Sequence, residues 1–258
     1  MTENPLLAKL KLPGRIFQLP SRGLLYTNGE IAPTAPESEV HFHALTAFEE
    51  ITIKNPDMLF SGKALSQVLK TTAPEILKPD ELYSKDVDAI MIYLRLVTYG
   101  PEYELSINHG CENSTSHSYI VNLEELLQRI VYLDPTLFDT AYKVALDNGQ
   151  VVQLQPVKYK HVIDILRENE KKDKLTVEDM QKNLMMSLMN IVKSVDGIED
   201  RKMIAEWLQA LPAAHVTKIA NNIDITNKWG PDLETKVVCK DCGKEIEIDV
   251  PINPISLF

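Results

Sequence analysis

Tyr103-Glu-Leu-Ser-Ile-Asn-His-Gly-Cys111-Glu-Asn-Ser-Thr-Ser-His117-Ser-Tyr-Ile-Val-Asn-Leu123 and Leu233-Glu-Thr-Lys-Val-Val-Cys239-Lys-Asp-Cys242-Gly-Lys-Glu-Ile-Glu-Ile-Asp-Val250 read as two copies of one device. Each begins by alternating apolar with polar residues, the period-two signature of a half-buried strand. Each then breaks at a cysteine-bearing tip and alternates again, through residues 118–123 and 245–250. The likeness predicts two β-hairpins that meet at their tips, far apart in the chain and close in space. The fold class that follows is α+β: paired hairpins resembling zinc-ribbon knuckles, packed helices, and a helical insert between them.

The tips carry the chemistry. Cys239-Lys-Asp-Cys242 presents two thiols from one tight turn, and Gly243 supplies the residue that turns back at positive φ. Zinc takes four such ligands tetrahedrally, so one Cys-x-x-Cys is half a site. Cys111 and His117 on the other tip are the candidates for the second half, with His109 as a substitute for His117. A site of Cys111, His117, Cys239 and Cys242 would be closed by protein and therefore structural. The alternative is a scaffold without metal, in which the two hairpins pack through apolar side chains. A thioredoxin-like redox pair does not fit, because Cys239 opens no helix after a strand of a βαβ unit.

Outward from the first hairpin, residues 86–98 are the most regular helix. Val87, Ile90, Met91, Leu94 and Val97 follow the i, i+3, i+4, i+7 rule of a buried face. Upstream, Thr46 with Glu49 forms a capping-box pattern, Asn55-Pro56-Asp57 starts a short helix, and residues 61–72 form another. Residues 1–45 read as an extended arm or edge strands, with Asn28-Gly29 as a hairpin turn and His41 and His43 on one strand face. Downstream of the first hairpin, residues 142–146 and 151–154 flank Asp147-Asn148-Gly149 as a further hairpin. Residues 46–167 thus form an α+β core, and 231–258 a terminal hairpin and tail.

Residues 168–230 form the insert. A methionine-rich helical stripe runs through Leu184, Met185, Leu188, Met189, Val192 and Val195, and two more helices follow Gly197 and Pro212. Methionine adapts to irregular surfaces, so Met185 and Met189 are candidate partner-binding residues beside the plainer reading of a small core. The apolar tail offers Ile255, Leu257 and Phe258 as a docking peptide, or as a segment that folds back.

Composition limits the function. The chain has 258 residues, 44% of them hydrophobic and 25% charged, which is ordinary for a globular protein. A net charge of −10 argues against a broad phosphate-binding face. Three cysteines make no disulfide framework and point to a reducing compartment. Met1-Thr-Glu-Asn-Pro lacks the apolar segment of a secretory signal, and residues 89–94 are too short to span a bilayer. Glycine-rich phosphate loops and His-Glu-x-x-His are absent from the sequence, so no small-molecule substrate or catalysis is expected.

Leu19-Pro-Ser-Arg-Gly-Leu-Leu-Tyr26, Asn55-Pro-Asp-Met-Leu-Phe-Ser-Gly62, Lys85-Asp-Val-Asp-Ala-Ile90, Thr98-Tyr-Gly-Pro-Glu-Tyr-Glu104 and Cys111…His117-Ser-Tyr119 occur in that order. In this order they resemble the baseplate hub assembly family of T-even-like contractile phages. The resemblance covers most of the chain, including the tail hairpin and its Pro251-to-Phe258 ending. It implies a role in building the hub, with other tail baseplate proteins as partners. It also implies a place in the host cytoplasm during assembly or in the virion tail, and it carries no catalytic residue over. The alternative from another class is a zinc-ribbon nucleic-acid-binding or regulatory module, which Glu112, Asp241, Glu245, Glu247 and Asp249 around the tips oppose.

Overall fold

In the computed structural model, which describes residues 14–108, 110, 111, 115–169, 174–252 and 254–258, helix α4 (Ser84–Tyr99) runs through the first of two hydrophobic clusters. Val87, Ile90, Met91 and Leu94 are buried there as the helical period requires, and Val97 packs against the cluster's edge. Gly100 ends the helix at φ +84, its N–H donating to Leu96 O at 2.9 Å, and Pro101 cannot continue it. The chain then enters β3 (Glu102–Ile107), which pairs antiparallel with β4 (His117–Asn122) in the register Glu102↔Asn122 to Ile107↔His117. Asn122 caps α5 (Leu123–Gln128) by accepting the Glu124 N–H.

Of the three short helices before α4, α1 (Ala47–Lys54) and α3 (Lys63–Thr72) bury Ile53, Leu65, Val68 and Leu69 in its cluster, and α2 (Pro56–Phe60) packs on α1 and α3. Thr46 and Glu49 form the expected capping box, and Asn55 caps α2 through the Met58 N–H. The N-terminal strands pair as β1 (Arg15–Gln18) with β2 (Glu39–Phe42). Asn28-Gly29 is not their hairpin turn. It lies within the long loop joining them, where the Glu30 carboxylate accepts the Asn28 N–H and Gly29 takes φ +71.

The second cluster is built on a three-stranded sheet. β5 (Lys143–Ala145) and β6 (Val151–Leu154) form the expected hairpin, and β6 pairs on its other edge with β7 (Val192–Val195). Around it lie α7 (Val177–Ile191), α8 (Arg201–Gln209) and α9 (Ala213–Thr226), while α6 (Tyr159–Asn169) bridges toward α2 and α4. The helical stripe read from residue 184 onward therefore stops at Ile191. Val192 and Val195, which continue a helical period, are strand residues because β6 offers an edge and β-branched side chains suit it. Leu133, Tyr142, Val144 and Val152 share this cluster with residues from the 188–229 stretch.

β8 (Glu234–Val238) and β9 (Glu245–Asp249) close the chain as the second knuckle hairpin, and α10 (Pro254–Leu257) returns onto α1 and α4. Tyr103, Leu105 and Val121 of the first hairpin are buried in the first cluster, and Leu233 and Ile248 pack against it. The two hairpins thus share a core. No helix among the described residues is long and apolar enough to cross a membrane.

Candidate metal centre

The two hairpin registers carry their tips to one place. Cys111 Sγ lies 3.9 Å from Cys239 Sγ, across a separation of 128 residues. Cys242 completes the group: the three sulfurs lie within 4.8 Å of one another. The pinch of the second tip is made by Cys239 N–H donating to Lys244 O and Gly243 N–H to Cys239 O, both at 2.8 Å. Gly243 adopts φ +71, a conformation that costs a side chain strain and glycine little. Cys239 is buried, Cys111 half-buried and Cys242 exposed.

Zinc–thiolate bonds of about 2.3 Å place tetrahedral sulfurs about 3.8 Å apart. The Cys111–Cys239 separation fits that edge, and three thiols aimed at one point fit a soft or borderline cation. As thiols so close together they oppose ionisation at Cys111. Burial and then hydrogen bonds to Cys239 and Cys242 push the Cys111 thiol up to about 11.

His117 does not join the sulfurs. Its Nε2 lies 2.7 Å from Asp241 Oδ1 and 3.1 Å from Thr115 Oγ1, so the ring holds one of the two residues between the cysteines of the other tip. Thr115 N–H donates to the second Asp241 oxygen at 3.0 Å. The His117 hydrogen bond, first among the causes, holds Asp241 below the usual carboxylate range. His109, the substitute ligand, and Glu112 lie outside the described residues.

Beside this pair, Lys240 N–H donates to the Tyr119 hydroxyl at 3.0 Å and Lys240 Nζ to Ser118 O at 2.6 Å. The ammonium also sits 5.1 Å from the centre of the Tyr119 ring. Spacing alone does not mark Thr115, Tyr119, Lys240 or Asp241 as ligands or clasps. The one sequence signal is that Lys240-Asp241 sits between the two cysteines of a tip expected to meet the other.

The proposed partner-binding residues divide. Met185 and Met189 pack against the second cluster, while their helix exposes Val177, Met180 and Leu184. Leu257 is buried and Phe258 packs partly against the first cluster, so the tail folds back. Tyr103 fixes it by donating its hydroxyl to Ser256 O at 3.0 Å. Ile255 alone of the three stays exposed, at 62%. His41 lies on β2 and His43 just past its end, their rings 4.6 Å apart.

Comparison with known families matches residues 34–258 to the T4 bacteriophage base plate proteins. Comparison with curated proteins finds no match, and neither does comparison with solved structures. The match begins before β2 and runs through both cysteine-bearing tips to the last residue, so it spans both clusters and the clasp between the hairpins. The chain belongs to the T4 bacteriophage base plate protein family.

Proposed function

We propose that this baseplate protein is a non-catalytic piece of the hub, working through contacts with other tail proteins. In this reading a structural zinc ion on Cys111, Cys239 and Cys242 ties its two hairpins together. The convergence of three sulfurs from hairpins 128 residues apart carries the metal part of the reading. Bound zinc would hold thiolates in place of the mutually opposed thiols and fix the two tips in one register. A fourth donor would complete the tetrahedron.

The contact role is supported by the family and by where the shifted titratable groups lie. Burial raises Asp86 to about 6, yet this carboxylate accepts the Ser21 N–H and the Tyr26 hydroxyl inside the protein. Burial likewise raises Tyr83 and Tyr93, again within the packed clusters. These groups serve as internal latches. The test is purification of the tagged chain from infected cells, with mass spectrometry of the assembled tails. Co-purification with hub components supports the reading, and recovery free of every tail protein contradicts it.

A further inference from the structure

Among the described residues, β4 and β8 each use one edge only. Leu123 N–H donates to Pro101 O beside the first hairpin, and Cys239 to Lys244 and Val250 to Leu233 bracket the second in the same way. In an antiparallel pair, residues that exchange hydrogen bonds alternate with residues whose N–H and C=O face away from the partner. With the observed registers, Ser118, Ile120 and Asn122 of β4 turn their backbone groups outward, as do Glu234, Lys236 and Val238 of β8. Two side-chain bonds agree: Lys240 Nζ reaches Ser118 O, and Arg129 Nη2 reaches Glu234 O at 2.7 Å.

Both outward edges line one groove of about 680 Å³, with α5 along its side. Ser118 and Glu234 are already capped by those cations. Among the described residues, no backbone bond outside the hairpins engages Ile120 or Lys236. Ile120 is 68% exposed and offers an apolar foothold, as does Val238 on the β8 edge. The charge is net acidic. Glu125, Asp232, Glu234 and Glu247 line the groove against Arg129 and Lys236. Both cations are committed, Arg129 to Asp232 at 2.9 Å and Lys236 to Glu245 and Glu247 at 3.3 Å.

We propose that the groove between β4 and β8 takes one extended segment of another protein, with Lys or Arg at alternate positions, as an added β-strand. Unpaired main-chain groups supply the pairing, and the acidic rim selects a basic face, because alternate side chains of a strand point the same way. The proposal rests on the reading of the chain as a contact protein and names the chemistry of one contact.

The test is NMR titration of the full chain with a synthetic peptide alternating lysine and valine, against one alternating glutamate and valine. Shifts should centre on the amides of Ile120 and Lys236, weaken with added salt, and be absent with the acidic peptide. Ile120→Pro removes an N–H that β3 does not use, a position where an edge strand tolerates proline, and should weaken binding about tenfold or more. The double variant Glu125→Lys with Glu234→Lys alters only exposed positions and should do the same. No binding of the basic peptide, shifts centred elsewhere, equal binding of the acidic peptide, or full binding by both variants would overturn the proposal. Such a failure leaves co-purification with tails untouched, so the groove and the hub role fail separately.

Discussion

Asp86 Oδ1 accepts the Ser21 N–H at 2.9 Å and Oδ2 accepts the Tyr26 hydroxyl at 2.6 Å, with the carboxylate wholly out of water. One side chain on α4 thereby anchors the loop between β1 and β2. Asp86→Ala leaves both donors buried and unmatched, and urea unfolding should show a loss of about 2–4 kcal/mol. The pH dependence has a definite sign. Burial raises the folded-state value from 3.8 to about 6, so this group's contribution is complete below about pH 4 and is lost as pH rises through about 6. Wild type should therefore lose stability relative to Asp86→Asn between pH 4 and pH 7, and a constant difference would contradict the assignment. The sequence placed Asp86 only at the start of a helix. Its burial could not be read there, since the residues that satisfy it come from a loop 60 and 65 positions earlier.

Elements were legible where their signal was local. The 3.6-residue period of α4, the Thr46–Glu49 box of α1 and the two-residue period of β3, β4, β8 and β9 each fixed an element without help from afar. Val192 and Val195 went the other way, because only the free edge of β6 distinguishes a strand there from one more turn of α7. The tail shows the same dependence on distant partners: its apolar residues suit docking outward or folding back, and the pocket beneath Leu257 decides. Leu257→Ala should cost about 2–5 kcal/mol by emptying a core position, while Ile255→Ala should stay within about 0.5 kcal/mol, both by thermal or urea unfolding. Equal effects would place the tail outside the core. The turn at residues 79–81 joins α6 through Glu81, whose carboxylate meets Lys158 and Lys160 at 2.6 Å each and is held down to about 2. Its contribution is present above about pH 4.5 and lost as pH falls toward 2. Partial exposure limits it, so Glu81→Gln should cost about 0.5–1 kcal/mol at neutral pH and nothing below pH 2.

At the scale of the molecule, two hydrophobic clusters are joined through the loop at Tyr83, the 131–133 segment and α6, while both hairpins rest on the first cluster. The meeting of the tips was legible because the two stretches repeat one pattern, and a repeated half-site asks for its other half. The company of His117 was not legible: one-dimensional spacing does not show Asp241, 2.7 Å from its ring, as its partner. The most direct measurement is the zinc content of the full chain purified without chelator, set beside that of Cys111→Ser. One zinc per wild-type chain, and none in the variant, is the expected result, since Cys239 and Cys242 alone supply half a tetrahedron. A wild-type chain free of metal, or a variant that keeps its full complement, would contradict a clasp shared between the two hairpins.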